Sequence, residues 1–90
     1  MNNAIYLSPV LPSIDMTATG ERIQYYCCKN NLKAKDLQQI FGFRHPQAVY
    51  NWLSGKTLPS IDNLLALSNL FHTSVNDLLV THDMGVSYCA

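Results

Sequence analysis

Charge is scarce in this chain: charged side chains make up 13%, and six Lys and Arg cancel six Asp and Glu. Net neutrality by itself argues against the basic footprint of a nucleic-acid binder. The four glycines, Gly20, Gly42, Gly55 and Gly85, stand apart and the acids are scattered. A glycine-rich dinucleotide fingerprint, a nucleophile elbow and a paired acidic site are therefore all missing, and no enzyme is expected. Cysteine is also sparse and odd in number: Cys27 and Cys28 are adjacent, poor partners for an ordinary disulfide, and Cys89 stands alone. With His45, His72 and His82 they offer no C-x-x-C or H-x-x-x-H spacing, so no metal and no cofactor is expected, and a reducing compartment fits. There is no apolar run near ~18 residues and no signal-peptide pattern, which makes a membrane span unexpected and a cytoplasmic location the expectation. Ninety residues exclude a multidomain enzyme, while 48% apolar content is enough to bury one core.

What charge there is has a pattern. Every Lys and Arg lies between Arg22 and Lys56, a span whose only acid is Asp36, whereas from residue 60 onward there are Asp62, Asp77 and Asp83 and no cation. A neutral molecule can thus carry a positive face, although ordinary solvated side chains would leave the same trace.

Five short helices can be read along the chain. Residues 1–18, with Pro9 and Pro12, read as an extended arm whose Ile5, Leu7 and Val10 pack across the domain. Thr19 is a plausible cap for a first helix carrying Ile23, Tyr26 and Cys27, stopped at Asn30-Asn31. A second starts near Lys33, turns Leu37, Ile40 and Phe41 to one side and ends at Gly42. Pro46 suits the first position of a third, in which Val49, Trp52 and Leu53 form an apolar stripe up to Gly55. Ser60 can cap a fourth, largely buried helix bearing Ile61, Leu64, Leu65, Leu67, Leu70 and Phe71. Ser74 and Asp77 make a capping box for a brief fifth helix, and residues 81–90 read as a flexible tail. No strand has a convincing partner, so the expected fold is all-α, with one domain over residues 19–80.

The second and third helices are joined by a tight connection, which is a helix-turn-helix pattern. If Val49, Trp52 and Leu53 face inward, then His45, Gln47, Tyr50, Asn51 and Ser54 face outward. Gln and Asn amides can both donate to and accept from the major-groove edge of adenine, and Gln47 and Asn51 are one helical turn apart. Trp52 belongs to the inward stripe, so core packing suits it better than base stacking.

From Gly20 to Leu79 the residues resemble the XRE family, the lambda-repressor-like helix-turn-helix regulators of bacteria and phages. The carriers are GERI at Gly20 to Ile23, KAKDLQQIFGF at Lys33 to Phe43, HPQAVYNWLSGKTLPSIDNL at His45 to Leu64 and SVNDLL at Ser74 to Leu79, with Trp52, Gly55, Lys56 and Pro59 in W-x-x-G-K-x-x-P spacing. The central stretch is similar to small single-domain regulators of Gram-positive bacteria. The resemblance implies a five-helix fold whose third helix enters the major groove of double-stranded DNA, with no membrane partner and a homodimer on a two-fold operator. It places Gln47, Asn51, Tyr50 and His45 at or beside base-contacting positions, and Lys33, Lys35, Arg44, Ser54, Lys56 and Thr57 at or near the backbone.

This chain departs from the family in three ways. The turn between the second and third helices is one residue longer than the shortest in the family. Gln38 stands where many relatives have a small Ala. Cys27 and Leu53 replace an Arg and Glu pair, an exchange of a buried ion pair for apolar residues that need not disturb the fold. Ser54 to Thr57, SGKT, is like the end of a phosphate-binding loop, but Tyr50 occupies the place of its first glycine and a helix, not a strand, precedes it. Two functions follow as expectations: a sequence-specific DNA-binding transcriptional regulator, or a protein-interaction module of antitoxin or anti-repressor type using Phe43, Tyr50 or the acidic C-terminal third.

Overall fold

In the computed structural model, which describes residues 13–82, the first helix starts on an acid rather than a hydroxyl. Asp15 is extended and its Oδ1 accepts the Ala18 N–H at 3.0 Å, so α1 runs Met16–Lys29. This corrects Thr19 as the cap. Thr19 lies inside the helix, buried, and its hydroxyl oxygen accepts the Val80 N–H at 3.0 Å. Just before α1, β1 (Ser13–Ile14) pairs antiparallel with β2 (Thr81–His82), Ser13 opposite His82 and Ile14 opposite Thr81. Strands this short carry no alternation for a sequence reading to find. The remainder of the expected arm, residues 1–12, and of the expected tail, residues 83–90, lies outside the described residues.

The other helices begin and end on local chemistry. α2 (Ala34–Phe41) follows Lys33, whose N–H donates to Asp36 Oδ2 at 2.7 Å, and ends at the left-handed Gly42. α3 (Gln47–Ser54) follows Pro46, which sits one position outside the helix rather than at its first turn and accepts the Tyr50 N–H through its carbonyl at 3.1 Å. α4 (Ile61–Phe71) is capped by Ser60, whose Oγ accepts the Asn63 N–H at 3.2 Å, and α5 (Val75–Leu78) by Ser74, which accepts from Asp77 at 3.1 Å. Hydrogen bonds from Thr73 and then Ser74 hold the Asp77 carboxyl below its ordinary range. The expectation that α4 is largely buried is corrected in part. Leu64, Leu67 and Phe71 share the inward face, while Leu65 is turned away from it by the helical period and is 56% exposed, and Ile61, the first residue of the helix, is 83% exposed.

Every helix contributes to one core: Ile23 and Cys27 from α1, Leu37 from α2, Val49 and Trp52 from α3, Leu67 and Phe71 from α4, and Leu78 from α5. Burying each large aliphatic or aromatic side chain among them is worth about 1.5–3 kcal/mol. Around Trp52, Phe41 and Phe43 approach edge-on at 5.6 and 5.7 Å between ring centres, so the indole braces the turn as well as the helix it belongs to. Tyr26 stacks on Phe71 at 5.6 Å and joins α1 to α4.

At Gly20 two backbones approach closely. A Cβ on Gly20 would stand 2.5 Å from the Trp52 carbonyl oxygen and 2.6 Å from that of Leu53. Only glycine lets the carbonyl end of α3 rest on α1 at this separation, and the contact fixes how α3 is presented.

Candidate nucleic-acid interface

α3 is held from behind and at both ends, and its free face is polar. Val49 and Trp52 point inward. At its C-terminal end, Gly55 adopts φ +81, with Thr17 Cα only 2.7 Å from where a side chain would begin. The Asn51 carbonyl then accepts the N–H groups of Lys56 at 2.9 Å and Thr57 at 3.2 Å, together with the Ser54 hydroxyl at 3.3 Å. The loop carrying Lys56 and Thr57 is thereby tied to the same residue that offers its amide outward.

The two amides on that face are bonded to each other. Gln47 Nε2 donates to Asn51 Oδ1 at 3.0 Å. Gln47 keeps an oxygen acceptor and one N–H, and Asn51 keeps both N–H donors, a set that can still meet a donor and acceptor edge. The bond also restricts the rotamers of the exposed Gln47 and the half-buried Asn51 before any partner arrives.

α3, the end of α1 and the start of α2 enclose an open groove of about 800 Å³. It gathers Gln47, Tyr50, Asn51, Ser54, Lys33 and Lys56, six of the ten residues picked out from the sequence. Its lining contains two cations and no acid, so its field favours an anionic partner although the chain as a whole is neutral. The other four, His45, Lys35, Arg44 and Thr57, are exposed but do not line it.

The sequence reading misses the wall that α1 provides. Gln24 and Cys28, one turn apart, line the groove beside Leu32, Ala34 and Leu53, and Gln24 Nε2 lies 3.5 Å from Cys28 Sγ. The available signal is Cys28 itself, next in sequence to the inward Cys27 and therefore turned to the adjoining face. Cys27 is 1% exposed, and its thiol is pushed up to about 11, first by burial and then by the neighbouring Cys28. It is a core side chain. Phe43, offered above as a partner contact, packs against Trp52, whereas Tyr50 remains 53% exposed.

Among the described residues no helix is long and apolar enough to cross a membrane. No curated protein and no solved structure matches the chain. A family model described as helix-turn-helix matches residues 23–78, a span that runs from within α1 to the end of α5 and holds α2, the turn and α3. That match covers well over half of the sequence, and the groove, the braced third helix and the matched span coincide: the chain belongs to the helix-turn-helix family of XRE and lambda-repressor-like DNA-binding regulators.

Proposed function

We propose that the protein is a sequence-specific regulator that reads double-stranded DNA with the exposed face of α3. The observation that carries this reading is the Gln47–Asn51 amide pair, bonded at 3.0 Å, in an acid-free groove rimmed by Lys33 and Lys56. The N-terminal part of α3 enters the major groove, where Gln47 and Asn51 meet base edges and Tyr50 and His45 lie beside them. Lys33, Lys35, Arg44 and Lys56 neutralise phosphates, and Ser54 and Thr57 hydrogen-bond to them. So few cations give a weak non-specific grip, so selectivity rests on α3 and on two copies binding a two-fold operator. The protein-interaction alternative draws on the exposed Ile61 and Leu65 and has no use for the paired amides.

Selection of duplexes from a random pool, followed by affinity measurements over a range of salt, tests the proposal. A preferred sequence is expected to emerge, with affinity falling steeply as salt rises. Lys56→Ala is expected to weaken preferred and scrambled duplexes alike and to reduce the salt slope by about one. Recovery of no preferred sequence would overturn the reading.

A further inference from the structure

Gln38 is the second of the three departures from the family pattern, and the DNA contacts assigned above make no use of it. It is half-buried at the end of α2, facing the turn. Its backbone carbonyl accepts the Phe43 N–H at 3.0 Å, and its side-chain Nε2 donates to the Phe43 carbonyl at 3.3 Å and the Arg44 carbonyl at 3.1 Å. One residue therefore grips both sides of the turn. An alanine here could keep the first bond and neither of the other two. The two carbonyls lie immediately before His45 and Pro46, and Pro46 brings no N–H of its own to fix the entry to α3. Phe43 packs on Trp52, so what Gln38 holds is continuous with the indole that braces α3 from behind.

We propose that Gln38 is a positioning residue for base recognition: its amide fixes the longer turn and so sets the rotation and height at which α3 presents Gln47 and Asn51. This rests on the reading of α3 as the DNA-reading helix. Gln38 touches no base in this scheme. It acts through the turn, and its loss shifts the readers relative to the base edges while Lys33 and Lys56 stay within attraction of the phosphates. Base contacts depend steeply on position, and phosphate attraction does not, so the two respond differently.

The test compares the parent with Gln38→Met, which keeps the length and removes the donor, and with Gln38→Ala, which cannot overpack. Each is assayed on the duplex selected by the parent and on a scrambled one, across salt, with folding checked by circular dichroism. The expected result is a fall of about tenfold or more in the ratio of the two affinities, an unchanged salt slope, and movement of the Gln47 and Asn51 side-chain amide signals in nuclear magnetic resonance spectra. A role confined to stability would lower the melting temperature and leave that ratio as in the parent. A folded variant that discriminates as the parent does overturns the assignment of Gln38 alone. A parent that selects no sequence overturns the reading of α3 and this inference with it.

Discussion

Two amides a helical turn apart can act independently or as one unit, and in the proposed reading the 3.0 Å bond between Gln47 and Asn51 joins them. Removing either leaves the other without the partner that orders its rotamer. Gln47→Ala and Asn51→Ala are each expected to reduce discrimination at the contacted base pair by about 1–3 kcal/mol. The double variant is expected to lose less than the sum, with a coupling of roughly 0.5 kcal/mol or more, in affinities for the selected and singly altered duplexes. Strict additivity would show that the bond does not shape recognition. That these two residues share an outward face is legible in the spacing, because the helical period decides it. That their amides meet each other is not, since spacing does not fix rotamers. Gln24 and Cys28 are illegible for another reason: they join the groove only because α1 packs against α3, and no periodicity within α1 reports where α3 lies.

For the elements, the sequence is most readable where a local bond decides. Ser60, Ser74, Gly42 and Gly55 mark helix ends as expected because each acts on backbone groups within a few residues. Thr19 misleads for the opposite reason. Its hydroxyl is engaged by Val80, 61 residues away, and the cap falls to Asp15. Arg22 works over a similar distance, donating from Nη1 to the Asp77 carbonyl and tying α1 to α5. Gly20 sets two effects against each other. Alanine is favoured over glycine inside a helix by about 0.8–1.0 kcal/mol. Here its Cβ would stand 2.5 Å from a backbone oxygen of α3, and backbone cannot swing aside as a side chain can. Crowding of this kind costs about 1–3 kcal/mol, so Gly20→Ala is expected to lower stability in a denaturant titration despite the better helix former. A more stable variant would mean that α1 and α3 are not in the contact described.

In the whole molecule, neutrality and DNA binding are compatible because the charges are segregated. The groove beside α3 holds Lys33 and Lys56 and no acid, while Asp62 and Asp77 belong to α4 and α5. The cation-free C-terminal third foreshadows this in the sequence. Which cations line the groove does not show there, because Lys35 and Arg44 are nearer to α3 along the chain than Lys33 and yet stand outside it. Titrating the selected duplex into isotope-labelled protein, and following backbone and side-chain amide signals, tests the central claim most directly. The expected shifts concentrate on Gln47, Tyr50, Asn51, Ser54, Lys56 and Lys33, including the side-chain amides of Gln47 and Asn51. Shifts centred on Ile61, Leu65 and Asp77, with the α3 amides unmoved, would contradict it.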